Sequence, residues 1–239
     1  MHTEITPGFI VIEGPDYSGK TTIAEILQTK LNSYLYSINV SLPVIGAYDP
    51  GCTEMAEKLR KIVKDPEVNI SSMVHFLLFQ AARIDLQDKV VLPNAKAGGI
   101  TIMQRWTDST RVYQGMLQGI SKEILDAVFR ASECVVPQLI IVLKVSDEEA
   151  ERRYDNSVRT EQDYFEKKEF RQVVRDGYAN IPLPDRPHTK QYRSWELDTM
   201  YCNGTVRSSV DADKPLDELV EDCWKVVLRS LKTTVLRDV

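Results

Sequence analysis

The chain has 239 residues, of which 43% are hydrophobic and 27% are charged, and its formal net charge is −5 with a pI near 5.4. A chain of this length can bury ~70% or more of the surface that it exposes when unfolded, so we expect one domain spanning residues 1–239. The acidic balance provides no overall basic surface for a nucleic-acid backbone, and the apolar runs are shorter than the ~20 residues of a membrane span. These features exclude a general nucleic-acid binder and a membrane-spanning protein.

The first residues and the cysteines indicate the compartment. Residues 1–14 lack the basic region and the long apolar stretch of a signal peptide. The cysteines lie far apart and form no C-x-x-C pair, which favours reduced thiols over a disulfide framework or a zinc site: Cys52, Cys134, Cys202 and Cys223. We therefore expect a cytoplasmic protein.

Short apolar runs alternate with helical patterns along the chain. The runs predict five strands, at residues 9–14, 42–48, 99–103, 139–145 and 205–211. Apolar residues at helical spacing predict helices over residues 23–34, 54–63, 71–91 and 216–227. This alternation predicts an α/β fold, with a five-stranded parallel sheet covered by helices on both faces. Residues of about 179–204 carry three prolines and little periodicity, and we expect an irregular surface excursion there.

The strongest motif is G-x-x-x-x-G-K-T at residues 14–21, which lies between the first predicted strand and the first predicted helix. Its glycines let backbone N–H groups surround a phosphate, and the helix adds the positive end of its dipole. Lys20 is expected to bridge the β- and γ-phosphates of a nucleotide, and the Thr21 hydroxyl to occupy a Mg²⁺ position. Such a pattern arises by chance in only ~1% of chains of this length. The motif therefore predicts a nucleotide site.

The sequence lacks the signatures of other classes of phosphate-loop protein. It contains no N-K-x-D guanine motif of a GTPase. The strand at residues 99–103 runs into Gln104 and Arg105, and the strand at residues 139–145 reaches Asp147 only after Ser146, so neither ends in an aspartate for Mg²⁺. Arginines instead stand at several strand and helix ends, which suits phosphoryl transfer between two phosphorylated molecules.

Four stretches, in order along the chain, resemble the thymidylate kinase family. They are FIVIEGPDYSGKTT at residues 9–22, LLFQAAR at 77–83, QRWTDSTRVYQG at 104–115, and PQLIIVLKVSDEEAERR at 137–153 followed by DYFE at 163–166. The resemblance implies the P-loop kinase fold with a lid at about residues 148–162. It also implies transfer of the γ-phosphoryl group of ATP to dTMP with Mg²⁺, giving dTDP, and a homodimer.

The resemblance also implies a site for the nucleoside. Phe79 and Arg83 lie four residues apart, so both project from one face of the predicted helix. In the family, the matching phenylalanine stacks on thymine and the matching arginine hydrogen-bonds the base. Thr110 and Tyr113 match positions that contact the base and crowd the 2′ side of the sugar, and Gln114 is expected to support this loop. The alternative interpretation is packing, with Phe79 in the core and Arg83 in an ordinary ion pair.

Charged residues near the expected phosphates receive roles in the same way. Arg105 follows a parallel strand at its carboxyl end, where ligands bind, and the resemblance implies that it clamps the monophosphate. Asp16 matches an acidic residue that meets the 3′-hydroxyl of the substrate or orients Mg²⁺. Tyr17 stands where some members place a catalytic arginine, which implies that the lid supplies the cationic group through Arg153 or Arg159.

These expectations define four sets of residues. The catalytic set is Lys20, Asp16, Arg105 and Arg159. The ATP-binding set is Gly14, Pro15, Asp16, Tyr17, Ser18, Gly19, Lys20, Thr21, Thr22 and Arg153. The substrate-binding set is Asp16, Asp49, Phe79, Arg83, Arg105, Thr110, Tyr113 and Gln114. The metal set is Thr21, with Asp16 as a second candidate.

Two positions depart from the family pattern and keep alternatives open. Tyr48 replaces the arginine of the family's R-E-P-G loop, and Gln104 replaces the aspartate of its D-R-Y segment. One alternative is therefore a kinase for another deoxynucleotide, such as dUMP or a 5-modified dUMP. The other alternative is a nucleotide-binding protein without catalytic activity.

Overall fold

A central sheet of six strands organises the protein. The computed structural model describes residues 5–156, 168–181, 198–202 and 205–237. The strands are β1 (Ile5–Glu13), β2 (Val44–Tyr48), β3 (Ile100–Gln104), β4 (Val136–Lys144), β5 (Asp198–Cys202) and β6 (Thr205–Asp211), in the spatial order β2-β3-β1-β4-β6-β5. All neighbouring pairs are parallel except β5 and β6. The five predicted parallel strands are confirmed.

The sixth strand is the main difference from the sequence prediction. The excursion expected at about residues 179–204 contains β5, which pairs antiparallel with β6 and places Met200 opposite Arg207. β5 has only five residues, DTMYC, and contains no long apolar run, so hydrophobic periodicity gives little signal there. Residues 182–197 of the excursion lie outside the described residues.

Helices connect the strands and cover both faces of the sheet. They are α1 (Lys20–Ser37), α2 (Glu54–Lys64), α3 (Ser72–Leu86), α4 (Leu92–Lys96), α5 (Thr107–Thr110), α6 (Lys122–Ala131), α7 (Asp147–Asp155), α8 (Lys168–Ala179) and α9 (Leu216–Leu231). Two π-helical segments, Gln87–Val91 and Arg111–Leu117, continue α3 and α5. Of the predicted lid, residues 148–155 belong to α7, and residues 157–162 lie outside the described residues.

Serine and threonine side chains begin several of these helices. The Thr53 side chain accepts a hydrogen bond from the N–H of Ala56 at the start of α2, and the Ser146 side chain accepts one from Glu149 at the start of α7. Such caps satisfy backbone donors that have no partner inside the helix. None of the helices in the described ranges combines the length and the hydropathy needed to cross a bilayer.

The core has two layers, one on each face of the sheet. Ile10 and Ile12 of β1 pack into the layer that contains α1 and α9, whereas Phe9 and Val11 pack into the opposite layer. All four side chains are at most 1% exposed, which agrees with a central strand buried on both faces. The carboxyl ends of β1 and β3 consequently open at the same edge of the sheet, and the candidate site lies there.

Candidate active site

The predicted phosphate loop connects β1 to α1. Gly14 has a φ of 143°, and a Cβ at this position would lie 2.7 Å from the carbonyl oxygen of Leu143. Gly19 has a φ of 90° and directly precedes the first turn of α1. Glycine therefore permits both the close approach of the loop to β4 and the left-handed turn into the helix. The loop runs directly into the N-terminus of α1, where the helix dipole favours a phosphate.

Two side chains of the loop point toward its interior. The Lys20 Nζ donates a hydrogen bond to the carbonyl oxygen of Pro15 at 2.6 Å and lies 4.0 Å from Asp16 Oδ1. The Ser18 Oγ is buried and has no hydrogen-bond partner among the described residues. Lys20 is itself only 8% exposed, so its charge is held inside the loop.

Oxygen atoms from the loop and from β3 meet beside Lys20. Thr21 Oγ1 donates a hydrogen bond to Gln104 Oε1 at 2.8 Å. Within the described ranges, no group of three or more His, Cys, Asp or Glu side chains is arranged to hold a metal ion. Mg²⁺ in phosphoryl-transfer sites is held by few protein oxygens, together with phosphates and water. The hydroxyl and amide oxygens of this pair therefore fit an Mg²⁺ that a nucleotide brings with it.

Arg105 extends from the turn after β3 across the mouth of the loop. Its φ of 66° is left-handed, and its guanidinium pairs with the Asp16 carboxylate. It also donates hydrogen bonds to the Ser109 hydroxyl at 3.3 Å and to the Tyr178 hydroxyl at 3.1 Å. The guanidinium carbon lies 5.2 Å from the ring centroid of Tyr113. Arg105 is thus held on several sides beside the phosphate loop.

Asp16 is ionised in this arrangement. Burial acts to raise the pKa of its carboxyl, but the charges of Arg105 and Lys20 outweigh burial and hold the pKa well below the ordinary value of 3.8. The Tyr113 hydroxyl also donates a hydrogen bond to Asp16 at 3.0 Å, which stabilises the anion. The pair of Asp16 and Arg105 links the two sequence motifs that predicted the nucleotide sites.

A second carboxylate lies beneath Arg105. Glu13, the last residue of β1, accepts hydrogen bonds from the N–H of Trp106 at 2.7 Å and of Ser109 at 3.2 Å. Its other oxygen accepts from the Ser109 hydroxyl at 2.7 Å and from the Tyr178 hydroxyl at 3.1 Å. Burial raises the pKa of Glu13. This carboxylate fixes the turn that carries Arg105.

Arg83 is the centre of a buried polar cluster on α3. Its guanidinium donates to Asp49 Oδ2 at 2.7 Å, to Gln80 Oε1 at 3.0 Å and to Thr110 Oγ1 at 2.8 Å. It also lies 5.4 Å from the ring centroid of Trp106. Burial raises the pKa of Asp49, and the charge of Arg83 opposes this effect. The cluster connects the loop after β2, helix α3 and helix α5.

A cavity of about 600 Å³ joins the phosphate loop to this cluster. The predicted residues that line it are Asp16, Tyr17, Gly19, Lys20, Thr21, Thr22, Asp49, Phe79, Arg83, Arg105, Thr110, Tyr113, Gln114 and Arg153. Gly14, Pro15 and Ser18 belong to the loop but do not line the cavity. Arg159 lies outside the described residues. The structure thus brings most of the predicted site together in one space.

Amide and carboxylate atoms in this cavity retain hydrogen-bonding capacity. The Nε2 of Gln114 and the Oδ1 of Asp49 are both buried, and neither has a hydrogen-bond partner among the described residues. Both side chains line the cavity. Because buried polar atoms are nearly always paired, these two atoms mark positions where a ligand can supply the partner.

Two cationic residues of the cavity lie outside the set that the sequence predicted. Arg60 and Lys64 lie four residues apart on α2, and both line the cavity. Arg60 donates a hydrogen bond to the carbonyl oxygen of Pro50 at 2.8 Å, and its guanidinium carbon lies 5.2 Å from the Tyr48 ring centroid. The i, i+4 spacing of two cations on one face of α2 is the signal that could have indicated them.

Helix α7 reaches the opposite side of the phosphate loop. Arg153 donates hydrogen bonds to the carbonyl oxygen of Tyr17 at 3.2 Å and to that of Ala212 at 2.5 Å. The Tyr17 and Tyr154 rings meet edge to face, with centroids 5.2 Å apart. Arg153 therefore contacts the phosphate loop from α7, and its catalytic role stays a prediction.

A phosphate loop on a parallel sheet, facing a second polar pocket across one cavity, defines a P-loop kinase of small phosphorylated molecules. Comparison with known proteins identifies the family. Residues 12–191 match the model of the thymidylate kinase family. The chain belongs to this family.

Individual relatives agree with the family model. The chain is 36% identical over 176 residues to the thymidylate kinase of Pelotomaculum thermopropionicum, covering 72% of this chain and 79% of the relative. It is 33% identical over 223 residues to the thymidylate kinase of Symbiobacterium thermophilum, covering 92% of each. The crystal structure of thymidylate kinase from Ehrlichia chaffeensis has the same fold, with a TM-score of 0.64, 24% identity and coverage of 92% of this chain and 97% of that one.

Proposed function

We propose that this protein transfers the γ-phosphoryl group of ATP to dTMP, giving ADP and dTDP. The observation that supports this function best is the single cavity of about 600 Å³, which has a phosphate loop at one end and the Phe79 and Arg83 side chains at the other. A phosphoryl donor and a nucleoside monophosphate can meet in such a space with water largely excluded. Membership of the thymidylate kinase family supports the same reaction.

The monophosphate occupies the side of the cavity that contains α2 and α3. The Phe79 ring stacks on the base. Four N–H groups of Arg83 are held by Asp49, Gln80, Trp106 and Thr110, and the remaining Nη1 hydrogen is offered to a base carbonyl. The buried Gln114 Nε2 supplies a further donor to the base. Arg105 binds the phosphate of the substrate, and Arg60 contributes a second positive charge on the same side.

The reaction is an in-line displacement. An oxygen of the dTMP phosphate attacks the γ-phosphorus of ATP, and the bond between that phosphorus and the β,γ-bridging oxygen breaks to release ADP. The attacking oxygen is already anionic, so this step needs positioning and charge neutralisation rather than a general base. Lys20 neutralises charge on the transferring group, and Arg153 contributes a second cation from α7. Arg159 is a further candidate for this role on the basis of the sequence alone.

Mg²⁺ is proposed as the metal of this reaction, with Thr21 as its protein ligand and Gln104 beside it. When bound, Mg²⁺ neutralises charge on the β- and γ-phosphates. Asp16 is paired with Arg105 and hydrogen-bonded to Tyr113, which suits a role at the substrate sugar or phosphate better than direct metal ligation.

A homodimer through α3 is also proposed. Three apolar side chains on one face of this helix, Met73, Val74 and Leu77, are 39%, 43% and 49% exposed. Residues spaced three and four apart form a continuous stripe on a helix, and exposed apolar stripes mark interaction surfaces.

The cytoplasmic location stays a prediction that rests on the cysteines, of which Cys52, Cys134 and Cys223 are free.

ADP release in the presence of ATP and Mg²⁺ tests the proposed function. The panel of acceptors is dTMP, dUMP, dCMP, dGMP and 5-hydroxymethyl-dUMP, each offered separately. We expect the highest kcat/KM with dTMP. A preference for another acceptor would change the assigned substrate but retain the phosphoryl-transfer reaction. ATP binding without ADP release from any acceptor would refute the enzymatic function.

A further inference from the structure

Tyr178 is a residue of α8 that the sequence analysis did not connect to the site. Its side chain is 4% exposed, and its hydroxyl lies 3.1 Å from an Arg105 guanidinium nitrogen, 2.7 Å from Ser109 Oγ and 3.1 Å from Glu13 Oε2. The hydroxyl accepts a hydrogen bond from Arg105 and donates one to Glu13. Burial raises the pKa of Tyr178 well above its usual range, so the hydroxyl keeps its proton.

This hydroxyl completes the support of Arg105. Asp16 pairs with one terminal nitrogen of the guanidinium, and the other donates to the Tyr178 hydroxyl at 3.1 Å, to Ser109 Oγ at 3.3 Å and to the carbonyl oxygen of Gly14 at 3.4 Å. Tyr178 makes the shortest of these three contacts, so its hydroxyl contributes most to the orientation of the planar group at this nitrogen. Glu13 in turn fixes the Tyr178 hydroxyl and the turn that carries Arg105.

Gly177 permits the close approach of α8 that brings Tyr178 to this position. A Cβ at Gly177 would lie 2.8 Å from Val112 Cγ1 and 3.1 Å from Met116 Sδ, both in the π-helical segment Arg111–Leu117. Real Cβ atoms essentially never come as close as 2.8 Å, and 3.1 Å is closer than most of their contacts, so the neighbouring side chains would have to shift. Glycine at this position therefore sets the distance between α8 and the wall of the cavity.

We infer that Tyr178 is a positioning residue for the monophosphate, because its hydroxyl holds the Arg105 guanidinium in the orientation that receives the substrate phosphate. The inference rests on the proposed function, in which Arg105 binds that phosphate. Tyr178 itself does not line the cavity and acts through Arg105.

The variant Tyr178→Phe tests this role, because it removes the hydroxyl and keeps the ring. Binding of dTMP and of thymidine is measured by titration calorimetry, since thymidine lacks the phosphate. We expect the Kd of dTMP to rise by about tenfold, as for loss of a hydrogen bond to a charged group, while the Kd of thymidine stays unchanged. The ratio of the two Kd values reports the contribution of the phosphate to binding. A general loss of structure would weaken the binding of both ligands and leave this ratio unchanged.

Two further variants complete the experiment. Tyr36→Phe, at a tyrosine that is 86% exposed on α1, is the matched control and leaves both Kd values unchanged. Gly177→Ala keeps the hydroxyl but displaces α8, and we expect it to weaken dTMP binding selectively as well. It provides an independent measurement if Tyr178→Phe does not fold.

Three results would overturn or redirect the inference. An unchanged Kd of dTMP in Tyr178→Phe refutes it, and so does an equal loss of thymidine and dTMP binding. If the wild-type protein does not bind dTMP, the proposed function fails instead. The same comparison of a monophosphate with its nucleoside, made for the acceptor that the panel selects, then still decides the role of Tyr178.

Discussion

The Arg83 guanidinium donates a hydrogen bond to the Asp49 carboxylate at 2.7 Å, and the two side chains are only 2% and 1% exposed. Both charges have left water, so each depends on the other for compensation. The Asp49 Oδ1 has no partner within the described ranges, so the pair also presents an acceptor to the cavity. The proposed base site is thus built on a buried ion pair.

Removing one charge of this pair is expected to be costly. Asp49→Asn keeps the shape of the side chain but leaves the Arg83 charge uncompensated, and we expect a loss of ~3–5 kcal/mol in the free energy of unfolding. Urea denaturation followed by circular dichroism measures this loss. Glu54→Gln, which breaks the exposed pair of Glu54 and Lys58, is the control and changes stability by less than ~1 kcal/mol. An equal, small effect of both substitutions would contradict a buried pair.

The pair of Asp16 and Arg105 predicts a pH dependence. The folded state lowers the pKa of Asp16 below the ordinary value of 3.8, so the ionised carboxylate stabilises the fold above that pH. This contribution is lost as the pH falls from about 4 through the lowered folded-state pKa. We expect the melting temperature of the wild type to exceed that of Asp16→Asn at pH 7, and the difference to shrink below pH 4. A difference that is constant from pH 7 to pH 3 would show that the charge of Asp16 has no role.

Gln104 predicts a changed Mg²⁺ requirement. Its amide oxygen accepts from the Thr21 hydroxyl at 2.8 Å, where an anionic ligand would attract the cation more strongly. We expect Gln104→Asp to lower the Mg²⁺ concentration for half-maximal ADP release several-fold. Mg²⁺-dependent binding of a fluorescent ADP analogue provides a readout without turnover. Gln104→Asn, which stays neutral, is the matched control, and an equal response of both variants would refute this role of charge.

Phe79 predicts a selective defect for the acceptor nucleotide. Base stacking on an aromatic ring contributes ~1–3 kcal/mol, so we expect Phe79→Ala to raise the KM for dTMP by about tenfold or more. The KM for ATP stays unchanged, because Phe79 lies on the side of the cavity away from the phosphate loop. Phe79→Tyr keeps the ring and retains most of the affinity. Equal KM values for dTMP in the wild type and in Phe79→Ala would place the base elsewhere.

The exposed stripe on α3 predicts the oligomeric state. We expect the wild type to be a dimer in size-exclusion chromatography with light scattering, and Leu77→Glu to be a monomer, because it buries an unpaired carboxylate in the interface. Tyr36→Glu, on the exposed face of α1, leaves the dimer intact. A monomeric wild type, or a dimeric Leu77→Glu, would be incompatible with an interface through α3.

The features that the sequence predicted are those with a local signature. The phosphate loop combines fixed spacing with a flanking strand and helix, and the structure forms the loop from those residues. The spacing of Phe79 and Arg83 predicted a shared helix face, and both line the cavity, which the family resemblance rather than the spacing implied. Arg105 follows a parallel strand, where topology alone places ligand-binding residues.

The features that the sequence did not predict depend on contacts distant in the chain. Tyr178 meets Arg105 across 73 positions, and nothing near Tyr178 in the sequence indicates that contact. Arg60 lies on an amphipathic helix, where a cation is more often part of a solvated face. The strand β5 is short and lacks an apolar run, and only its pairing with β6 identifies it as a strand.

The contacts of helix α8 with both α7 and Arg105 have a thermodynamic consequence. Arg171 pairs with Glu151 at 2.5 Å and Arg175 pairs with Asp147, which binds α8 to α7, the helix that carries Arg153 to the phosphate loop. At its far end, α8 contacts Arg105. One helix therefore connects the proposed donor and acceptor sites. If ATP binding alters this connection, it changes the affinity for the monophosphate, and linkage requires the monophosphate to change the affinity for ATP by the same factor.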